Sequence, residues 1–181
     1  MLGALDETMV ILREVRSRTD RVAVFFSGGK ESLVVMDLAC KTFEHVHPFF
    51  MWLVPDLEVI EVEMAKAKER WGCDILKYPI PYFFGALRDG AFCDGLGEVP
   101  KVELKDVHAW VRLDTGATVV LNGARRADGL GRRVHIARAS AAWADVKYPL
   151  AGWNKVDVLA YLKRHGIPLP PSPGTMQSGV G

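Results

Sequence analysis

The sequence predicts an α/β fold in which a parallel sheet is covered by helices on both faces. Short, nearly continuous apolar runs alternate along the chain with longer segments of helical spacing; such runs mark strands buried on both sides. The first run breaks at Ser27-Gly28-Gly29 and passes straight into a helical pattern, the strand–turn–helix order of a crossover unit. With 181 residues and no internal repeat, the chain is sized for one domain. That domain is expected over 1–168, N-terminal helix included, with a Pro/Gly/Ser-rich tail over 169–181.

The elements follow in order. Met9, Leu12 and Val15 put one apolar face on a helix over 6–18. Residues 21–26 (RVAVFF) form the first strand, and Leu33, Val34, Met36, Leu38 and Ala39 space a helix over 31–43. A strand over 48–54, a helix over 57–71 and a strand over 74–80 repeat the pattern. A short helix is expected over 81–92, then a glycine-rich loop over 94–100, a helix over 104–113 and a strand over 118–121. Residues 125–133 carry Arg125, Arg126, Arg132, Arg133 and two glycines and read as a loop, with a short helix over 138–145 and a last strand over 147–150. The helix over 155–165 is stopped by Gly166 and Pro168.

Composition narrows the class. Hydrophobic residues at 49% with 25% charged describe a water-soluble globular chain. A net charge of +1 supplies no global field for nucleic acid or an anionic membrane, so any anion preference rests on local clusters. No apolar run reaches membrane-spanning length, and residues 1–20 lack a signal-peptide core, so a cytoplasmic location is expected. Cys40, Cys73 and Cys93 are far apart and form no CxxC pair, which argues against zinc or iron–sulfur. Cys40 and Cys73 are expected to be buried thiols, and Cys93 to lie in an exposed loop. His45 and His47 have no evident carboxylate partner and are expected to be structural or surface residues; His165, in a last helical turn, suits positive charge. Trp52, Trp110, Trp143 and Trp153 are assigned to the core, Trp153 docking the last helix. Glu58, Glu61, Glu63, Lys66, Lys68 and Arg70 read as a solvated helix face with i,i+4 pairs.

The glycine turn is suited to a phosphate group. Gly28 and Gly29 can take positive φ and bring N–H groups close to a ligand. The helix that starts there aims its free N–H groups and positive dipole end at the same spot, while Ser27, Ser32 and Lys30 add hydroxyls and one charge. Neither GxxxxGK[ST] nor GxGxxG occurs. The Ser27 turn and the Arg125 loop both follow strands, and so are expected on one rim, where ligands sit in such sheets.

Ser27-Gly28-Gly29-Lys30-Glu31-Ser32 resembles the SGGxDS signature of the PP-loop ATP pyrophosphatases, with Glu31 where Asp is usual. Three further segments resemble the branch that holds phosphoadenosine phosphosulfate (PAPS) reductase and ATP sulfurylase. Val54-Pro55-Asp56-Leu57-Glu58 is similar to its GLEF stretch, with Asp56 for Gly. Gly123 through Arg133 is similar to GxRxxDSxxRR, with Gly129 for Ser, and Tyr148 through Pro168 to PLxxWxxxDVxxYxxxxxIP. The resemblance implies an adenine-nucleotide α-hydrolase-like, Rossmann-like fold with a five-stranded, mostly parallel sheet. It implies that Ser27, Gly28, Gly29, Lys30, Glu31 and Ser32 hold the pyrophosphate of ATP, that adenine packs near Leu53, Asp56 and Leu57, and that Gly123 adjoins the nucleotide. Arg125, Arg132 and Arg133 would reach phosphate or sulfate groups and act with Lys30 in catalysis. Mg²⁺ would be carried by ATP, with Glu31 as the side chain to consider.

Three functions are set against one another. The first cleaves ATP between the α and β phosphates, transfers AMP to an acceptor and releases pyrophosphate. The second is a thiol-dependent reductase of phosphoadenylyl sulfate; the ECGxH-type cysteine of that group is missing from the tail, leaving Cys93 as its thiol. The third is a nucleotide-binding module without catalysis. The expected partners are an adenine nucleotide and an acceptor, small or macromolecular; no membrane or nucleic acid is indicated, and a homo-oligomer or partner subunit stays open.

Overall fold

A computed structural model describes residues 3–91, 98–141 and 146–169, with side chains at all of these except 139–141. Five strands form one sheet in the order β3-β2-β1-β4-β5, every neighbouring pair parallel. They are β1 (Arg21–Phe25), β2 (His45–Trp52), β3 (Leu76–Pro79), β4 (Val120–Leu121) and β5 (Val146–Lys147). The helices are α1 (Ala4–Arg16), α2 (Lys30–Thr42), α3 (Glu58–Trp71), α4 (Pro81–Arg88), α5 (Leu104–Thr115), α6 (Leu130–Ala141) and α7 (Lys155–Arg164). The expected parallel α/β sheet of five strands is therefore the observed one.

Strand alternation sorts the core into two layers. Val22, Val24 and Phe26 face α1, α2 and α7, where Leu12, Val34, Leu38, Val158 and Leu162 complete a fully apolar cluster. Ala23 and Val120 point the other way, onto Val107 and Val111 of α5, with Phe49 and Tyr78 beside them. Ile60 and Met64 of α3 cover Phe50 on the first face. Each such side chain removed from water contributes about 1.5–3 kcal/mol, so register is fixed: a one-residue slip would turn Val22 and Val24 onto the wrong layer. In that register β1 lies between β2 and β4, and the chain crosses over from β3 to β4. The crevice outside the C-terminal ends of β1 and β4 is thus a topological switch point.

Two polar ties hold the helical layer. Trp153 Nε1 donates to Thr8 Oγ1 at 2.8 Å and lies 3.1 Å from Ala4 O, while Thr8 Oγ1 donates to Pro149 O at 2.7 Å. Trp153 thereby docks α1 onto the segment entering α7, the role expected of it, and Asn154 caps α7 through the N–H groups of Val156 and Asp157. On α2, buried Asp37 accepts from Tyr161 Oη at 2.7 Å, Trp71 Nε1 at 3.3 Å and Lys41 Nζ at 2.5 Å. It joins α2 to both α3 and α7.

The sequence misjudged some boundaries. Residues 125–133 are not an open loop: Arg126–Asp128 forms a 3-10 turn, Gly129 at φ 133° reverses the chain, and α6 starts at Leu130. Two glycines had suggested a breaker, but only Gly129 breaks; Arg132 and Arg133 are good helix formers. The helix expected over 81–92 ends at Arg88. Cys93, Trp143, most of the 94–100 loop and the tail from 170 lie outside the described residues. Cys40 and Cys73, distant in sequence, are neighbours in the fold: burial and the adjacent Cys73 push the Cys40 thiol up to about 12. The charged face of α3 is only partly as expected. Lys66 pairs with Glu63 at i,i+3, Lys68 with Asp74, and Arg70 donates to the carbonyls of His165 and Gly166. His165 stacks on Tyr161 and sits 3.2 Å from Lys41 Nζ.

Asp37 gives the fold a predicted acid limb. Burial pushes its pKa up, but hydrogen bonds from Lys41, Tyr161 and Trp71 outweigh that and hold it below the usual carboxylate value. A depressed folded pKa means stability that is complete above the unfolded value of about 3.9 and is lost as pH falls through the folded value. Asp37→Asn is expected to cost about 1–3 kcal/mol at neutral pH and to flatten the fall in stability below about pH 4, read as thermal midpoints across a pH series.

Candidate functional site

β1 delivers the chain to the rim and the glycine turn bends it into α2. Gly28 has φ 71°, the left-handed conformation that glycine adopts without strain. Gly29 is extended, at φ −75° and ψ 159°, and serves as the N-cap; only Gly28, not both glycines, needs positive φ. Ser32 Oγ donates to Gly29 O at 2.8 Å, and Ser27 Oγ lies 3.4 Å from Ser32 Oγ. The first intrahelical bond runs from Leu33 N to Gly29 O. Among the described residues no acceptor in the chain engages the N–H groups of Lys30, Glu31 or Ser32. These orphan donors end the helix at the rim.

The second wall comes from β4. Asn122 N bonds to Lys147 O at 2.9 Å, and Asn122 Oδ1 accepts from Ala124 N at 2.9 Å, shaping the exit of the strand. Gly123 then passes so close to α2 that a Cβ there would stand 3.1 Å from the Glu31 carbonyl carbon. That approach sets Arg125 beside the turn. Its N–H donates to Asp128 Oδ2 at 3.0 Å, and its Nη2 donates to Asp128 Oδ1 at 2.6 Å and lies 3.0 Å from Glu31 Oε1. Glu31 Oε1 is also 3.0 Å from Lys30 Nζ. The Arg125 side chain is only 8% exposed, yet its Nε and Nη1 have no hydrogen-bond partner among the described residues. Buried, unpaired guanidinium donors are costly unless an anion meets them.

Between the two walls lies a cavity of about 230 Å³, lined by Phe25, Ser27, Lys30, Glu31, Ser32, Asn122, Gly123, Ala124, Arg125, Asp128 and Arg132. Three cationic side chains face two carboxylates there, a net of +1. Donors, a helix N-terminus and surplus positive charge suit a phosphate or similar oxyanion.

The structure brings together Ser27, Lys30, Glu31, Ser32, Gly123, Arg125 and Arg132. It separates others that the sequence had grouped with them. Arg133 is exposed, its Nε donates to Arg126 O at 3.1 Å, and it is not among the residues that line the cavity. Gly28 lines a different, mainly apolar cleft with Leu33, Trp71 and Ile167. Asp56 and Leu57 border a small cleft with Trp52 and Lys77, and Leu53 lines none of these hollows. Asp56, at φ 54°, occupies the left-handed conformation for which the resembling motif carries Gly. Asn122, Asp128 and Phe25 were missed; the position of Asn122 at a strand end beside Gly123 was the available signal. At the opposite rim Asp20, Glu44 and His45 bring ligand atoms within 4.8 Å of one another, so His45 does have carboxylate neighbours, although Glu44 is paired with Arg16. His47 lies 3.2 Å from Arg21 Nη1, and burial followed by that charge lowers its pKa.

No family model matches the chain. It is 24% identical over 204 aligned positions to sulfate adenylyltransferase subunit 2 of Brucella abortus (strain 2308), covering 91% of this chain and 64% of that protein. The Brucella melitensis (biotype 2) protein of the same name is 23% identical over the same share. Homology to sulfate adenylyltransferase subunit 2 is the relationship these alignments show. The chain spans 64% of the length of these curated relatives. Among solved structures, NH3-dependent NAD synthetase of Campylobacter jejuni, in complex with nitrate, superposes with a TM-score of 0.60 at 11% identity, over 92% of this chain and 75% of that one. PAPS reductase of Candida auris, a phosphate complex, gives 0.58 at 17% identity, over 93% and 82%. At such identities the likeness is one of fold alone, a Rossmann-like α/β fold. No described helix is long and apolar enough to cross a membrane.

The three glycines around the site make separable predictions. Gly123→Ala is expected to force the β4 exit away from Glu31, because backbone atoms at 3.1 and 3.2 Å cannot yield as a flexible side chain would; the cost is about 1–3 kcal/mol. Gly28→Ala should add left-handed strain of about 1 kcal/mol. Gly29→Ala meets only Ser27 Oγ at 3.3 Å and should be the mildest of the three in denaturant unfolding.

Proposed function

We propose that this chain binds ATP with its phosphates in the cavity between the glycine turn and the Arg125 loop, and cleaves between the α and β phosphates. An acceptor oxygen attacks the α-phosphorus, the bridging bond breaks, AMP passes to the acceptor and pyrophosphate leaves with the bonding pair. The observation that carries this proposal is the buried Arg125, whose Nε and Nη1 lack partners among the described residues, beside the N–H groups that open α2 and are likewise unmatched there. The homology to sulfate adenylyltransferase subunit 2 supports it, and the relatives' name makes sulfate the first acceptor to test. That name also makes a partner subunit part of the proposal.

The residues divide the work by position. The N–H groups of Lys30, Glu31 and Ser32, with the Ser27 and Ser32 hydroxyls, receive the β and γ phosphates; Lys30 neutralises charge on the departing pyrophosphate. Arg125 and Arg132 hold the α-phosphate or the acceptor, which is orientation rather than covalent chemistry. At about 230 Å³ the cavity is smaller than the roughly 300–1,000 Å³ of sites that enclose a whole ligand. It admits the phosphate end of ATP, with the adenosine extending outside. Magnesium has no free carboxylate among the cavity's described side chains: Glu31 is paired with Lys30 and Arg125, and Asp128 with Arg125. The donor set does not fit a protein-held ion.

Incubation with Mg·ATP and sulfate, alone and with a candidate partner subunit, is expected to release pyrophosphate. Release of orthophosphate alone would contradict the proposal. Lys30→Ala should lower kcat/KM by about 10²-fold or more, the scale of a lost oxyanion donor.

A further inference from the structure

One charged group at the cavity has no task in that chemistry. Glu31 sits in the first turn of α2, with its carboxylate between the two cations that the reaction needs. Its Oε1 is 3.0 Å from Lys30 Nζ and 3.0 Å from Arg125 Nη2. That oxygen is buried and makes no well-directed hydrogen bond, so charge rather than direction holds the cluster together. Asp128 anchors the same Nη2 from the other side at 2.6 Å. The close passage of Gly123 over the Glu31 backbone keeps the two loops in this relation.

We propose that Glu31 is a built-in counter-anion: it competes with phosphate for Lys30 and Arg125 and thereby sets how tightly the site holds, and how readily it releases, a phosphate product. The proposal rests on the phosphate-binding reading above. A carboxylate at 3.0 Å from both cations already supplies the negative charge that a phosphate oxygen would bring. Phosphate binding is then an exchange of one anion for another in a site with a net charge of +1 rather than +2. Removing one unit charge a few ångströms from a partly buried anion site shifts affinity by about tenfold or more. Glu31 also relieves the repulsion between Lys30 and Arg125, so its two effects have opposite signs. Loss of the charge lowers fold stability while raising anion affinity. A purely structural acid would not raise affinity when removed, and a metal ligand would act only through the metal.

The test is titration calorimetry with inorganic pyrophosphate in EDTA at low salt, on wild type, Glu31→Gln and Glu31→Asp, with thermal melts alongside. Glu31→Gln is expected to bind pyrophosphate about tenfold or more tightly than wild type while melting lower. Glu31→Asp, which keeps the charge, should stay within about threefold of wild type. Weaker or unchanged binding in a folded Glu31→Gln protein overturns the proposal. So does a Mg²⁺-dependent gain in affinity that wild type shows and Glu31→Gln loses, because it assigns the carboxylate to the metal. If Glu31→Gln does not fold, Asp128→Asn removes the other carboxylate on Nη2, and tighter binding is expected there too. Absence of pyrophosphate binding to wild type itself rejects the phosphate-binding reading, which is a separate failure from a wild type that binds and a Glu31→Gln that binds no better.

Discussion

Gly123 against the backbone of Glu31 is the contact on which the site depends. A Cβ at 123 would stand 3.1 Å from the Glu31 carbonyl carbon, so the chain leaving β4 can reach the start of α2 only because that carbon is missing. Everything charged follows from that proximity. Arg125, two residues on, is carried to the glycine turn and buried there, and the pairing with Glu31 and Asp128 offsets part of the cost of burying it. The two donors left over, Nε and Nη1, are buried without a hydrogen-bond partner among the described residues.

The sheet order makes the contact available. β1 and β4 are neighbours although β2 and β3 come between them in the chain, and only at such a switch point do the loops leaving two adjacent parallel strands diverge and open a crevice. The apolar layers of α1, α2 and α7 on one face and α5 on the other fix that order. Trp153 and Asp37 tie the helices across one layer, so the turn that opens α2 is backed by an element held from both sides. Rigid backing matters at such a site because backbone N–H groups stabilise charge only where they are already aimed.

The homology and the geometry speak to different questions. Alignment with sulfate adenylyltransferase subunit 2 runs along 91% of the chain at 24% identity and identifies kinship. It does not distribute roles among four arginines. The structure separates them by position: Arg125 is buried, Arg132 is exposed but lines the cavity, and Arg126 and Arg133 are exposed and do not line it. Likewise Glu31, read in sequence as a one-methylene departure from Asp, is in three dimensions the shared counter-charge of Lys30 and Arg125.

Much of the fold was legible locally. Continuous apolar runs such as 21–26 identify buried strands, and the Ser-Gly-Gly break before a helical pattern marks the turn, because both depend on residues next to one another in the chain. The same holds for Gly28, whose positive φ a glycine in that turn announces. Failures came where the deciding partner was remote. Residues 125–133 looked like a loop because two glycines weigh equally in sequence, whereas Arg125 is fixed by Glu31 and only Gly129 breaks the chain. The kinship of Cys40 with Cys73, and of His45 with Asp20, arises from packing between segments that spacing treats as unrelated. The amino-acid sequence by itself determined the order of strands and helices and the phosphate-suited turn. Tertiary structure decided which arginine is buried, which glycine is a contact and what charge the cavity carries, because those properties depend on distances between groups that no local pattern encodes.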